Sequence, residues 1–218
     1  MGAAVKVFLL YTVPGLVPVL SGLAAEQVPD AELLHYVDGS LLRDTIANGG
    51  PPQHVHDKLA AYARFARECE ADVLLVTCSS IGEAAERCVG IPVMRIDQPM
   101  CRDAVRSGMR IGVLATVSST LEPTTRLVRR ASAEQGVERD IRAVLCEGAF
   151  DALRAGDTET HDALVTAAFR RLSTEVDVIV LAQASMARIV SGLAPESVTV
   201  PVLSSPESGI AQLKGFKA

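Results

Sequence analysis

No G-x-G-x-x-G follows the first apolar strand of this 218-residue chain, no G-x-x-x-x-G-K-[ST] occurs in it, and no two cysteines stand at C-x-x-C spacing. Without the glycine motifs, the backbone amides that cradle dinucleotide or nucleoside-triphosphate phosphates have no sequence basis, so phosphate cofactors are not expected. Five cysteines, an odd number without paired spacing, argue for reduced thiols in a cytoplasmic protein rather than a disulfide framework. They also form no zinc-ligand pattern, and no metal is expected. An excess of basic charge is missing too: 21 Lys and Arg against 26 Asp and Glu leave a net charge of −5. That excludes the electrostatic footprint a nucleic acid or an anionic membrane surface requires. The longest uncharged run, Val7 to Ala25, is broken by Pro14, Gly15, Pro18 and Gly22 and preceded only by Lys6. It reads as a strand running into a loop, not as a membrane span or an export signal.

What is present is aliphatic, and 218 residues suffice for one large domain or two lobes of about 100 residues each. Lys6 to Leu10 is a short apolar strand that ends in Tyr11-Thr12-Val13-Pro14-Gly15. Glu32 to Val37 is a second strand, closed by Asp38-Gly39 and followed by a helical stretch from Ser40. Leu59, Tyr62, Ala63 and Ala66 recur at helical spacing between Asp57 and Glu70. Val73 to Val76 is a strand apolar on both faces, as in a parallel sheet, and Ile81 to Cys88 is the helix after it. Ile91 to Met94 is a fourth strand.

From about Met100 the pattern begins again. Arg110 to Val117 repeats Lys6 to Val13 at an offset of 104 and sets Thr116 opposite Thr12. Cys146-Glu147-Gly148 echoes Val37-Asp38-Gly39, and His161-Asp162-Ala163-Leu164 echoes His56-Asp57-Lys58-Leu59. Val176 to Ser185 repeats Ala71 to Ser80 at an offset of 105, and Val200-Pro-Val-Leu repeats Ile91-Pro-Val-Met. Such a repeat implies an α/β fold of two pseudo-symmetric Rossmann-like lobes with parallel sheets. The first lobe is expected over 1–99 and 207–218, its tail a helix that returns to it, and the second over 100–206. Ligands of open α/β sheets bind beyond the carboxyl ends of the strands, so a cleft between the lobes is the expected site.

Cys78 is the residue with a physical reason to be reactive. It stands between the Val73–Val76 strand and a helix, flanked by Thr77, Ser79 and Ser80. Helix amides and the positive end of the helix dipole favour a thiolate there, or hold a carboxylate beside it. The bland alternative is a small buried hydrophobe. Offset arithmetic makes Gln183 the counterpart of Cys78 in the second half.

The motifs Thr77-Cys78-Ser79-Ser80, Gly112-Val113-Leu114-Ala115-Thr116 and Val178 to Ser185 together resemble the aspartate/glutamate racemase superfamily. That superfamily includes hydantoin racemases, maleate isomerase and arylmalonate decarboxylase, and the resemblance covers essentially the whole chain. It implies two pseudo-symmetric lobes, no cofactor, and one cysteine from each lobe on opposite sides of the substrate α-carbon. Here Gln183 stands where the second cysteine belongs, and its amide has no titratable group near neutral pH. The reading is a cofactor-independent isomerase acting at the carbon alpha to a carboxylate through Cys78. One-thiol alternatives remain: decarboxylation of a malonate-type diacid, or cis-trans isomerization of an unsaturated diacid by thiolate addition. A carboxylate-binding protein without turnover is the non-enzymatic alternative. Ser79, Ser80, Thr12, Thr116, Ser119, Thr120, Gln183 and Ser185 are the candidate substrate-binding residues. The partner is a small carboxylate-bearing molecule, and a homo-oligomer is left open.

Other conspicuous residues receive structural readings. Cys69, Cys88, Cys101 and Cys146 are expected in the core or incidental to function. His54 and His56 are placed in a solvated loop, and His161 in a capping or surface role. Asp97, after a strand end, is either a second-lobe hinge residue or an active-site carboxylate, with the structural role preferred.

Overall fold

The computed structural model describes residues 4–216. In chain order its regular elements are β1 (Lys6–Tyr11), α1 (Leu16–Gln27), β2 (Glu32–Val37), α2 (Gly39–Ala47), α3 (Gln53–Glu68), β3 (Val73–Val76), α4 (Ser79–Ala85) and β4 (Val93–Arg95). Then follow α5 (Gln98–Ser107), β5 (Arg110–Ala115), α6 (Ser118–Glu134), β6 (Asp140–Leu145), α7 (Ala149–Arg154), α8 (Thr158–Ser173), β7 (Val178–Leu181), α9 (Ala187–Ser191), β8 (Val202–Ser204) and α10 (Ser205–Ala211).

The chain divides into two compact units. One holds the residues up to Gln98 together with those from Pro206 onward, and the other runs from Pro99 to Ser205. Each unit contains one four-stranded sheet, ordered β2-β1-β3-β4 in the first and β6-β5-β7-β8 in the second. All six strand pairings are parallel. The fold is therefore α/β, and the two units repeat one topology.

Burial on both faces explains the apolar strands. In β1 the side chains alternate: Phe8 and Leu10 join Leu41, Val55, Leu59 and Ile81 from α2, α3 and α4. Val7, Leu9 and Tyr11 join Leu20 and Ala24 of α1 and Ile210 and Leu213 of the tail. The second unit does the same. Ile111, Val113 and Ala115 face Met100, Val105, Leu127 and Val128 of α5 and α6. Leu114 faces Val165, Phe169 and Leu172 of α8. A strand covered on two sides needs no polar alternation, which is the pattern of a parallel sheet.

The strand starts are pinned in the same way in both units. Asp72 accepts from the Lys6 backbone N–H at 2.7 Å, and Asp177 accepts from the Arg110 backbone N–H at 2.8 Å. Asp177 also takes a two-pronged contact from the Arg110 guanidinium at 3.1 and 2.6 Å. The units differ where β2 and β6 end. Asp38 caps α2 by accepting from Ser40 N–H, whereas Gly148 opens α7 in the left-handed region at φ 76°.

Several sequence expectations are corrected at this level. His54 and His56 lie inside α3, which begins at Gln53 after Pro52, not in a loop. Proline at the cap position starts that helix, and Val55 in its first turn already belongs to the buried face of Leu59, Ala63 and Ala66. His54 Nε2 lies 3.0 Å from Asp44 Oδ2. His161 is buried rather than at the surface, with Nδ1 2.7 Å from Asp162 Oδ1, while Asp157 caps α8. The fourth strand runs over Val93–Arg95 rather than Ile91 to Met94, and the helix after β3 begins at Ser79 rather than Ile81. The tail is α10 followed by a 3-10 turn over Gln212–Gly215, so it is only partly α-helical, and its expected last two residues lie outside the described residues. Among the described residues no helix is long and apolar enough to cross a membrane.

Two outcomes follow from this packing. At Gly209 an added Cβ would come within 2.5 Å of the Ile96 carbonyl oxygen, a backbone atom that cannot swing aside. Gly209→Ala is expected to cost on the order of 1–3 kcal/mol, read as a lower urea midpoint at unchanged slope. The Arg110 guanidinium and N–H hold the Asp177 carboxyl down at about 2, below its ordinary 3.8. The resulting stabilisation is present above the unfolded-state value and is lost as pH falls through the folded one. Asp177→Asn should therefore flatten the loss of stability between about pH 4 and 2, measured by thermal melts across that range.

Candidate functional site

Parallel pairing brings the carboxyl ends of neighbouring strands to one end of each sheet. In the first unit, β1 and β3 are neighbours with Leu10 beside Val76, so the segments that leave them, Thr12 and Thr77-Cys78, emerge side by side. Thr77 extends the ladder by one step, donating from both N–H and Oγ1 to the Leu10 carbonyl at 3.1 Å. That bond turns the next residue, Cys78, into the N-cap of α4, with extended φ and ψ of −132° and 118°.

Cys78 is half-buried, and Ser79 and Ser80 behind it are buried. Burial pushes the Cys78 thiol above its ordinary 9.0. Four groups oppose that effect: the Thr12 hydroxyl, the backbone amides of Ser80 and Ile81, and the Ser80 hydroxyl. They act as hydrogen-bonding groups toward the sulfur, although the thiol does not form a regular side-chain cap of the helix. Burial is the larger effect, so the resting sulfur is a protonated thiol surrounded by groups that would favour its anion.

The second unit holds the equivalent arrangement with different chemistry. Gln183 stands at the end of β7 as Cys78 stands at the end of β3. Its Oε1 accepts from the Thr116 backbone N–H at 2.7 Å, and its Nε2 donates to Thr116 Oγ1 at 2.9 Å. Thr12 with Cys78 and Thr116 with Gln183 are thus the same pair in the two units, one carrying a thiol and the other a closed amide clamp. The sequence offsets made Thr116 the counterpart of Thr12 and Gln183 that of Cys78, but the bonds between Thr116 and Gln183 could not be read from them.

Ser119 and Thr120 lie in the first turn of α6, next to Thr116, and all three are buried. The Ser119 hydroxyl has no hydrogen-bond partner. A buried hydroxyl without a partner at the amide-rich start of a 17-residue helix is suited to an anionic oxygen. Ser185 is different: it is exposed on the 3-10 turn Ala184–Met186. Thr12, Cys78, Ser79 and Ser80 are thus gathered in one unit, and Thr116, Ser119, Thr120 and Gln183 in the other.

Cys101 and Cys146 are buried, and Cys69 and Cys88 pack against the first unit's core. No group of three or more His, Cys, Asp or Glu able to hold a metal occurs among the described residues. Asp97, 1% exposed, forks with Arg95 through bonds of 2.9 and 2.8 Å. Sequence reading noted Asp97 but missed Arg95, because nothing local distinguishes a buried arginine from a surface one at a strand end.

Two repeated parallel α/β units, with hydroxyls and one thiol at their strand ends, define the class of fold. The family model for Asp/Glu/hydantoin racemases matches residues 18–213, and the chain belongs to that family. The protein is accordingly a racemase-like isomerase, of a family acting on small carboxylate substrates. Among solved structures the chain is similar to glutamate racemase isoform RacE1 of Bacillus anthracis, at 18% identity and a TM-score of 0.71, covering 97% of this chain and 80% of that one. It is similar to the aspartate racemase of Picrophilus torridus at 13% identity and 0.69, covering 98% and 94%. It is also similar to the allantoin racemase of Klebsiella pneumoniae at 17% and 0.65, covering 97% and 87%. At these identities the likeness is one of fold. No protein with a curated description matches the sequence.

The hydroxyl of Thr12 can be tested directly. Thr12→Val keeps the shape and removes the donor beside the sulfur. It should slow alkylation of Cys78 by iodoacetamide at pH 7 and move the midpoint of its pH profile upward, followed by peptide mass spectrometry.

Proposed function

We propose that the protein is a cofactor-independent isomerase acting at the carbon alpha to a carboxylate of a small acid, with Cys78 as its proton-transferring group. The observation that carries this reading is the position of the thiol at the N-cap of α4, among the Thr12 and Ser80 hydroxyls and the Ser80 and Ile81 amides. A substrate carboxylate bound at such amides and hydroxyls would have its developing enediolate charge stabilised there. In the forward step the Cys78 thiolate takes the α-proton. The C–H electron pair passes into the carboxylate to form the enediolate, and the S–H bond forms. Return of a proton to the α-carbon completes the exchange. Gln183 has no proton to exchange, so inversion takes its proton from a water on the opposite face, and the hydroxide left behind recovers a proton from the Cys78 S–H, which restores both water and thiolate.

A one-thiol decarboxylation of a malonate-type diacid is the second reading, and two observations favour it. Both ends of the Gln183 amide are engaged by Thr116, and burial keeps the resting Cys78 protonated. Loss of carbon dioxide leaves the electron pair of the broken C–C bond as the enediolate, and the Cys78 S–H then protonates carbon. That sequence needs an acid and no base.

The two readings predict different behaviour. Incubated with candidate acids in deuterated water, an isomerase places deuterium at the α-position of recovered substrate, and a decarboxylase evolves carbon dioxide. Because the thiol is held above 9.0, isomerase turnover should rise with pH into the alkaline range, while decarboxylation should stay level near neutrality and fall there. Cys78→Ala is expected to lower either activity by about 10²–10⁴-fold. Full turnover in that variant would remove the thiol from the mechanism, and tight binding of an acid with neither product would identify a binding protein.

A further inference from the structure

Arg95 closes β4 with 3% of its surface exposed, buried with the carboxylate of Asp97. Its Nε donates to Asp97 Oδ1 at 2.9 Å and an outer nitrogen donates to Oδ2 at 2.8 Å. The other outer nitrogen lies 3.6 Å from the carboxylate of Glu86, the residue that ends α4. A guanidinium taken out of water costs several kcal/mol before its partners compensate, and an apolar side chain of similar volume often serves stability as well or better. The pair therefore calls for a role in position.

The surroundings of Arg95 define that role. In the sheet, Arg95 is the partner of Val76, the last residue of β3, and Ile96 N–H donates to the Val76 carbonyl at 3.1 Å. Its guanidinium lies against α4 at Gly82, where an added Cβ would come 2.6 Å from Nε and 2.9 Å from Cζ. Glycine at 82 is what lets the group approach the helix backbone, and the fork to Asp97 keeps it from swinging away. Arg95 thus touches both limbs of one turn, the strand two residues before Cys78 and the helix four residues after it. Its own carbonyl is fixed by Gln212 Nε2 at 3.1 Å, which ties the same point to the tail.

We infer that Arg95, forked to Asp97 and seated in the notch of Gly82, is the positioning residue that sets the spacing between β3 and α4 and so the placement of the Cys78 sulfur among the helix amides. The inference rests on the reading of Cys78 as the working thiol. Arg95 acts through the turn rather than on substrate. Its removal would leave the residues of the site in place and change only their spacing.

The test measures the sulfur without substrate. In Gly82→Ala, which displaces the guanidinium, Arg95→Lys, which keeps charge but loses the fork, and Asp97→Asn, which weakens the fork without bulk, alkylation of Cys78 by iodoacetamide is followed across pH by peptide mass spectrometry. Buried Cys101 of the other unit serves as the reporter of global opening. The expected result is alkylation of Cys78 slowed roughly three- to tenfold at pH 7, its midpoint moved upward and Cys101 unchanged. Asp97→Asn should have the smallest effect. If the milder variant leaves the Cys78 profile at wild type, or speeds Cys78 and Cys101 together, Arg95 is a packing residue and the inference is overturned. Turnover in Cys78→Ala is a separate measurement, so an error about the reaction and an error about Arg95 give different results.

Discussion

Parallel strand pairing is the constraint on which this molecule depends. It forces every strand of a sheet to end on the same edge, and it requires helices on both faces to cover side chains that point up and down alternately. Phe8 and Leu10 on one side of β1, with Val7, Leu9 and Tyr11 on the other, are the local form of that rule. The site follows from it. Thr12 and Cys78 belong to segments 66 residues apart that meet only because β1 and β3 run side by side in one direction. Asp72 and Asp177 hold the opposite edges, so each sheet is fixed at its start and left chemically free at its end.

Much of this was legible in the sequence because it depends on periodicity and repetition. Four consecutive apolar residues in β3 and again in β7 mark strands buried on both faces, and the offsets near 105 relate the elements of the two halves. What escaped sequence reading depends on side chains meeting across the fold. Gln183 was recognisable as a departure from a thiol, but its engagement with Thr116 through both ends of the amide spans 67 residues. His161 looked like a surface residue ahead of a helix because its burial is set by neighbouring elements, not by its own turn. His54 and His56 were misplaced for a simpler reason. Their helix has buried Val55 in its first turn, in register with Leu59 and Ala63, a signal that the preceding Gly-Gly-Pro-Pro break obscured.

The two units share a backbone plan and differ in electrostatics. In the first, hydroxyls and amides surround an ionisable sulfur, and burial competes with them over its proton. In the second, the corresponding place is occupied by a neutral amide whose hydrogen-bonding capacity is directed inward at Thr116, while the nearby Ser119 hydroxyl remains unmatched. A repeated topology thus carries an asymmetric set of side chains, with an ionisable group at the strand end of one unit and a neutral amide at that of the other.

The amide clamp at Thr116 also bears on how readily such a protein could accommodate a second thiol. A Gln183→Cys change would supply the sulfur but remove the acceptor of the Thr116 N–H. Leaving that buried donor unmatched costs about 1–3 kcal/mol. The new sulfur would also precede a 3-10 turn, wound more tightly than the first turn of α4, so the amides would meet it at a different angle. A single substitution there would therefore be disfavoured by the hydrogen bonding built around glutamine, and the clamp keeps the strand ends of the two units chemically distinct.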